Sequence, residues 1–183
     1  MSRFKSLGTG LGAAALATLV SAAAASAIAS SPITTTLVAS KGSSATPARH
    51  GTAFKLHVAG NPSTAFAVVK LHNFPTAAPT AEPTFKATFF QSGTPRWYIK
   101  FANGDYLFGY PPLARWDAHK KGGGTLPGGN YVTYSQALAA VRTDAGGTLP
   151  NVRKVSIVAD GSASLPYTAV VSHGVYAGQP VTP

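Results

Sequence analysis

Apolar and polar residues alternate in short segments through much of the chain. In Ala53–Val58 every second residue is apolar, and the residues between them include Lys55 and His57. Ala65–His72 and Phe85–Phe90 repeat this alternation, with turn-forming residues on either side. A period of two residues is the pattern of β-strands that bury one face and expose the other. The pattern therefore predicts a protein built mainly of antiparallel strands.

The C-terminal third adds one helix and further strands to this prediction. Thr133 and Gln136 have the spacing of a capping box, and apolar residues at helical spacing follow, so a short helix is predicted at about 133–143. The predicted fold is a mostly-β, antiparallel β-sandwich of the jelly-roll type with one short helix. Its last strands are predicted at Val152–Ala159, Tyr167–Ser172 and Val175–Ala177.

The segment Arg96–Tyr110 predicts a β-hairpin. It holds an Asn-Gly pair at 103–104 between two runs rich in apolar residues, which is the strongest short-range indication of a hairpin. With this pair as a two-residue turn, one face of the hairpin carries Trp97, Ile99, Phe101, Tyr106, Phe108 and Tyr110. The opposite face then carries Arg96, Tyr98, Lys100 and Leu107.

Aromatic residues are concentrated around this hairpin. Residues 85–116 hold 10 of the 18 Phe, Trp and Tyr residues of the chain. The face with Trp97 is either a wall of the core or an exposed strip on which sugar rings stack. We expect Tyr98 and Trp116 at the surface, because each has Arg or Lys beside it in the sequence.

Residues 1–29 have the pattern of a secretory signal peptide. A short basic region precedes the apolar stretch Leu11–Ala29, which ends in small residues that suit a signal peptidase. We therefore expect a secreted, extracellular protein with no transmembrane segment after cleavage; an uncleaved membrane anchor is the alternative. Residues 30–51, rich in Ser, Thr and Ala, are expected to form a flexible N-terminal arm or a first edge strand. A single β-sandwich domain is predicted over 52–183.

Charge and cysteine content narrow the choice of partners and chemistry. The chain has 15 Lys and Arg residues against 5 Asp and Glu residues, a net charge of +10. This charge favours attraction to anionic polymers, or it only keeps the protein in solution. The basic residues are spread along the chain and form no nucleic-acid-binding motif, so no nucleic-acid partner is predicted. The absence of cysteine excludes disulfides and thiol catalysis.

The acidic residues and histidines do not form a pattern typical of an enzyme. A glycosidase needs two carboxyl groups on either side of the scissile bond, and Asp105 with Asp117 is the only pair near the aromatic segment. The remaining acidic residues have positions typical of structural roles: Glu82 lies in a connector, Asp144 near a helix end and Asp160 in a turn. The five histidines lack the spacing of metal ligands. We therefore predict a protein that is not an enzyme, with no catalytic residue, metal or cofactor.

Two C-terminal segments resemble a known class of domains. VRKVSIVADG at Val152–Gly161 and VVSHGVYAGQ at Val170–Gln179 are similar to the closing strands of small secreted actinobacterial β-sandwich domains of the jelly-roll type. That class includes galactose-binding-like modules, which recognise sugars. The resemblance implies a sandwich with ligand binding as one function, and it assigns no individual site residue.

These observations together predict a secreted, non-catalytic binding module for a polysaccharide or an anionic cell-wall polymer. Aromatic rings would stack on the ligand, and basic side chains would contact its hydroxyl or anionic groups. One alternative is a protein–protein interaction or inhibitor domain that presents the loop Leu113–Asn130 to another secreted protein. A second alternative is a glycoside hydrolase that uses Asp105 and Asp117. The predicted ligand-binding residues are Arg96, Tyr98, Lys100, Arg115 and Trp116.

Overall fold

The computed structural model describes residues 31–48, 51–88, 95–111, 114–160 and 165–183. The segment predicted to be a signal peptide, residues 1–29, lies outside the described residues. Within the described ranges, no helix is long and apolar enough to cross a membrane. The elements are β1 (Thr34–Ala39), β2 (Ser44–Pro47), β3 (Ala53–Val58), β4 (Phe66–His72), β5 (Thr84–Ala87), β6 (Arg96–Phe101), β7 (Tyr106–Tyr110), β8 (Arg115–His119), α1 (Tyr134–Asp144), β9 (Val152–Asp160), β10 (Tyr167–Tyr176) and β11 (Gln179–Val181).

The strands form two antiparallel sheets. In the six-stranded sheet the order is β1-β4-β9-β6-β7-β8, and in the second sheet it is β11-β10-β3-β2, with β5 also paired to β10. Consecutive strands such as β3 and β4 belong to different sheets, so the chain passes from one layer to the other. The predicted mostly-β fold with one short helix is confirmed for the described part of the chain.

The core lies between the two sheets because every second residue of their central strands points inward. The inward residues of β6 are Trp97, Ile99 and Phe101, and all three are fully buried. The Trp97 ring lies 5.8 Å from Phe85 of β5 and 6.0 Å from Tyr176 of β10, centroid to centroid. The Trp97 side of β6 is therefore a wall of the core. Burial of each large apolar side chain stabilises the fold by roughly 1.5–3 kcal/mol.

The segment 30–51 forms two edge strands over much of its described length. Strand β1 pairs with β4 along all six of its residues, and β2 pairs with β3. Both strands lie at the edge of a sheet. Of the two possibilities stated for this segment, the structure has the edge strand rather than the flexible arm. Sheet pairing satisfies the backbone hydrogen bonds of a segment that has few large apolar side chains.

The β6–β7 hairpin forms as predicted, but its strands pair one residue away from the predicted register. Ile99 faces Leu107, whereas a two-residue turn would place it opposite Phe108. Neighbouring residues of a strand point to opposite faces, so this shift moves the side chains of β7 from one face to the other. The prediction of a single face with six apolar or aromatic residues is therefore wrong. The side away from the core carries Tyr106, Phe108 and Tyr110.

A three-residue turn, Ala102–Gly104, sets this register. The Asp105 carbonyl accepts a hydrogen bond of 2.8 Å from the last amide of β6. Gly104 has a φ of 100°, the left-handed conformation that ends a three-residue hairpin loop. The buried Asp105 carboxylate accepts hydrogen bonds from the Asn103 side chain at 2.6 Å and from the Lys121 amide at 3.2 Å. These bonds hold the longer turn in place.

Helix α1 begins at the predicted capping box. The Thr133 side chain accepts a hydrogen bond from the Gln136 amide, and the Gln136 side chain accepts one from the Thr133 amide. Two of the four amide groups that a helix start leaves unpaired are satisfied in this way. The helix then packs its Tyr134 ring against Trp116 of β8, at 4.7 Å between centroids. The capping box therefore also positions the helix against the core.

Gly109 makes room for the largest side chain at this end of the core. Its partner on β8 is Trp116, which is fully buried. A Cβ atom at position 109 would overlap the six-membered ring of Trp116. The position therefore requires glycine for space, so that the indole can lie against the backbone of β7.

We expect Gly109→Ala to lower the free energy of unfolding by about 3 kcal/mol, because the added methyl group overpacks the core. Denaturant-induced unfolding measures this loss. With Trp116→Phe, which removes the overlapping ring, the same substitution should cost less than about 1 kcal/mol. Gly174→Ala is the matched control in another buried strand, because its Cβ would meet Val181 at 3.1 Å and requires only a small shift. Equal losses with Trp and with Phe at position 116 would contradict this explanation.

Candidate functional site

The candidate site lies on the side of the six-stranded sheet that faces away from the core, which we call the outer face. Charged and aromatic side chains alternate here with the buried residues of the same strands. Paired strands bring their outward residues side by side across the sheet. The central residues of the outer face are Arg96, Tyr98 and Lys100 of β6 and Tyr106, Phe108 and Tyr110 of β7.

Partly exposed aromatic rings form a continuous cluster on the outer face. The Tyr98 ring lies 5.5 Å from Phe108 and 5.6 Å from Tyr106, centroid to centroid. Tyr106 stacks on His119 of β8 at 5.0 Å, with 10° between the ring planes. Such contacts fix the rings relative to one another, while each keeps part of its surface in solvent. The sheet therefore presents a fixed aromatic surface.

A groove of about 750 Å³ borders this cluster. Valine side chains of β4 and β9 lie on its floor beside the Tyr98 ring, and residues Pro62–Phe66 line one side. An apolar floor with a few charged groups around it is the usual composition of a ligand site. The charged residues around the groove are Lys70, Lys154, Arg96 and Asp160.

Three lysines gather beside the groove and repel one another. Lys100 is the sheet partner of Lys154, and Lys70 lies on β4, on the other side of β9. Partial burial lowers the pKa of Lys154, and repulsion from Lys70 and Lys100 lowers it further. Among the described residues, no Asp or Glu forms an ion pair with these lysines. The Lys154 Nζ lies 5.3 Å from the centroid of the Tyr98 ring, so the cationic and aromatic parts of the site meet.

A β-bulge adds another basic side chain at this end of the groove. The pairing of β6 with β9 is regular as far as Lys100 and Lys154 and then shifts, which leaves Arg153 as an extra residue. Arg153 and Lys154 are both exposed, although neighbours in a regular strand alternate between the two faces. Both also line a second cavity of about 480 Å³, together with Lys70 and His72. The bulge thus extends the basic surface beyond the groove.

Arg96 lies beside the groove, but an acidic partner balances its charge. Its guanidinium donates two hydrogen bonds to the Asp160 carboxylate, one of them at 3.0 Å. The guanidinium carbon lies 4.4 Å from the centroid of the Phe108 ring. Arg96 therefore fixes Phe108 and one end of the groove, and it offers less free charge to a ligand than the lysines do.

Arg115 is exposed at the β8 edge of the outer face, beside a ring that the sequence predictions did not include. Its guanidinium carbon lies 5.8 Å from the centroid of the Tyr131 ring, and Tyr131 is 65% exposed. The Tyr131 amide donates a hydrogen bond of 2.7 Å to the Asp117 carboxylate. The sequence does contain one indication of this residue. Tyr131 directly follows Gly128, Gly129 and Asn130, turn-forming residues among which a large aromatic residue is unexpected.

Trp116, one of the predicted ligand-binding residues, belongs to the core. It is fully buried, and its Nε1 donates a hydrogen bond of 2.7 Å to Glu82. Arg115 and Trp116 are neighbours on one strand, so they point to opposite faces of the sheet. The expectation that Trp116 reaches the surface is therefore wrong. The basic neighbour Arg115 points to the solvent-exposed face of β8, so it carried no information about the exposure of Trp116.

The structure brings three of the five predicted residues, Arg96, Tyr98 and Lys100, together on the outer face and places Arg115 at its edge. The groove also contains residues that the sequence did not single out. They come from β4, from β9 and from the loop before β4, and only the pairing of strands distant in the sequence places them beside β6. The missed residues with charged or aromatic side chains are Phe66, Lys70, Lys154 and Asp160.

Asp105 and Asp117, the pair that a glycosidase would need, hold separate parts of the backbone. Asp105 stabilises the hairpin turn, and Asp117 accepts the hydrogen bond from Tyr131. In the part of the chain that the structure describes, no group of three or more His, Asp or Glu side chains is placed to hold a metal ion. Both carboxylates thus have structural partners.

The loop Leu113–Asn130, predicted as an alternative protein-binding element, is described from residue 114 onward. Part of it is not a loop, because Arg115–His119 form strand β8. The residues that follow fold back along β8, where Thr125 bridges to His119 and Leu126 is buried. The loop therefore covers the free edge of β8, which would otherwise offer unpaired backbone groups to another chain.

Comparison with known proteins adds no further information about the site. No protein family, curated protein or solved structure matches the chain. The similarity of the C-terminal segments to galactose-binding-like domains therefore stays an expectation, and the function is argued from the outer face.

We expect Lys100→Met to raise the pKa of Lys154, because it removes one of the like charges that disfavour the protonated amine. Titration of the lysine side chains by NMR measures the pKa. At pH values below the folded-state pKa of Lys154, its lowered pKa opposes folding because the unfolded chain holds the proton more tightly, so the variant should also be slightly more stable there. Lys55→Met, on β3 of the other sheet, should leave the pKa unchanged. An unchanged Lys154 pKa in Lys100→Met would show that the lysines do not interact.

Proposed function

We propose that this protein is a non-catalytic binding module that holds an acidic polysaccharide of a cell envelope on its outer face. The observation that carries the proposal is the contact between an aromatic surface and lysines that have no acidic partner among the described residues. The Lys154 Nζ lies 5.3 Å from the centroid of the Tyr98 ring, with Lys70 and Lys100 beside it. A ligand that carries both sugar rings and anionic groups would contact both parts at once.

The lysine cluster favours an anionic ligand for an electrostatic reason. Partial burial and mutual repulsion disfavour the charged form of Lys154 in the free protein. A carboxylate, sulfate or phosphate placed among Lys70, Lys100 and Lys154 would offset both effects. The same charges attract an anionic polymer from a distance, and this attraction weakens as salt is added.

The aromatic surface favours sugar rings as the neutral part of the ligand. A sugar ring presents apolar C–H groups on its faces and hydroxyl groups around its edge. The Tyr98 and Phe108 rings and the valine floor of the groove offer apolar area for the faces. The Tyr98 hydroxyl and the lysine amines offer hydrogen bonds for the edges.

The geometry fits a polysaccharide better than a nucleic acid or a folded protein. The rings of Tyr98, Tyr106 and Phe108 are inclined to one another by 42–75°, so they do not form the parallel faces on which successive bases stack. A stable protein interface buries about 800 Å² on each side, and its centre is depleted of charged residues. Here three lysines lie on interior strands of the sheet, β4, β9 and β6, beside the groove.

Secretion and the absence of catalysis are parts of the same proposal. The N-terminal pattern of residues 1–29 supports a role outside the cell, where such polymers occur. The backbone hydrogen bonds of Asp105 and Asp117 support binding rather than hydrolysis. The module would then attach to its ligand without changing it.

Retention on immobilised polymers tests the proposal. We expect the chain from Ser30 to bind at least one of polygalacturonate, dextran sulfate and wall teichoic acid. We also expect it to bind methyl-esterified polygalacturonate and neutral dextran much more weakly. Binding should be stronger at about 0.05 M than at about 0.5 M salt. Tyr98→Ala should weaken binding about tenfold at both salt concentrations, since a lost stacking contact of about 1.4 kcal/mol corresponds to this change.

Matched variants separate the site from general charge attraction. Lys100→Met should weaken binding and its salt dependence, whereas Lys55→Met, an equal loss of charge on the other sheet, should change binding little. Tyr98→Phe should bind nearly as well as the wild type, because it keeps the ring. Equal effects of the two lysine variants, retention of none of the acidic polymers, or tighter binding of single-stranded oligothymidylate would each overturn the proposal.

A further inference from the structure

Tyr131 combines high exposure with an unfavourable backbone conformation. The residue is 65% exposed, and its φ is 53°, in the left-handed region that favours glycine. For a bulky residue this conformation is a genuine outlier, and such strain persists only where the surrounding structure enforces it. Glycine would fit this backbone without strain, and the exposed ring contributes little burial in return. Stability of the fold therefore does not account for a tyrosine here.

The backbone around Tyr131 is fixed to the outer face. Its amide donates a hydrogen bond to Asp117 at 2.7 Å, and Asp117 is the sheet partner of Phe108. The next residue, Val132, forms two backbone hydrogen bonds with Trp116, at 2.8 and 3.0 Å. The ring therefore has a defined place beside β8 and does not belong to a freely moving loop.

Cations and rings alternate across the outer face from Tyr131 to the groove. Arg115 lies against Tyr131, and Tyr110 is the sheet partner of Arg115. On the next strands Arg96 lies over Phe108, at 4.4 Å, and Lys154 lies over Tyr98, at 5.3 Å. The chemistry of the groove, a ring with a cation beside it, is thus repeated at the β8 edge.

We infer that Tyr131 and Arg115 form a second subsite for the acidic polysaccharide, which binds across the sheet as an extended chain. This inference rests on the proposed function, because it assigns the same class of ligand. Val132 lies one strand position beyond β8, and therefore three strand spacings, about 14 Å, from β6. One sugar ring does not cover this distance, so the two subsites together select a polymer over a short oligomer.

The inference explains why the chain keeps this unfavourable backbone conformation at Tyr131. A ring whose backbone is fixed before binding loses less conformational freedom when the ligand arrives, so more of the contact energy appears as affinity. Asp117 provides this pre-ordering because its carboxylate fixes the Tyr131 amide. Arg115, exposed beside the ring, is free to contact a hydroxyl or anionic group of the next sugar.

Tyr131→Gly tests the second subsite, because it removes the ring and relieves the backbone at once. The probes are the acidic polymer of the panel that the wild type retains best and short oligomers of that polymer that fit within the groove. Tyr131→Gly should bind the polymer about tenfold more weakly and the short oligomers as well as the wild type does. Its melting temperature should be no lower than that of the wild type, because the left-handed backbone suits glycine. Tyr131→Phe should keep full affinity for the polymer.

Ala177→Gly is the matched control, since Ala177 also has a positive φ, 51°, in the turn between β10 and β11. It should change binding of neither probe. Unchanged affinity of Tyr131→Gly for the polymer would overturn the second subsite and leave the proposed function intact. An equal loss for short oligomers and polymer would overturn it too, because the ring would then act at the groove. If the wild type binds no acidic polymer, the proposed function itself fails.

Discussion

The length of one turn decides which aromatic side chains this protein shows to solvent. Asn103 and Gly104 belong to a three-residue turn, and the buried Asp105 carboxylate ties that turn to the Asn103 side chain and to the Lys121 amide. One residue fewer in the turn would exchange the two faces of β7. Tyr106 and Phe108 would then enter the core, and Leu107 would face solvent. The aromatic cluster of the outer face thus depends on hydrogen bonds at the end of the hairpin.

The inner side of the same strands shows why the opposite arrangement does not form. Trp116 occupies the space over Gly109, where even a methyl group would overlap its ring. Trp97 fills the core between the two sheets and contacts Phe85 and Tyr176. Large rings from both sheets already fill this layer, so a close-packed interior has no room for the tyrosines of β7. Core packing and turn geometry therefore favour the same register.

The outer face keeps several features that do not favour stability. Lys70, Lys100 and Lys154 repel one another, a bulge turns Arg153 and Lys154 outward together, and Tyr131 has a left-handed backbone. Features of this kind tend to concentrate at functional sites, because binding uses the unmet interactions. They lie on paired strands or on a loop fixed to a strand. The surface is thus largely formed before a ligand arrives, which favours affinity.

The sequence by itself determined the fold class, the helix and its capping box, and the hairpin at residues 96–110. These follow from local alternation, cap spacing and turn residues, which act over a few positions. It also indicated Tyr98 and Lys100 as outward residues, because the alternation within β6 does not depend on its partners. Only the tertiary structure decided the hairpin register, the burial of Trp116 and the meeting of Lys70, Lys154 and Tyr98 beside one groove. The turn length depends on a hydrogen bond from the distant Lys121 amide, and the groove depends on pairing between strands far apart in the chain, so neither can be read from a local pattern.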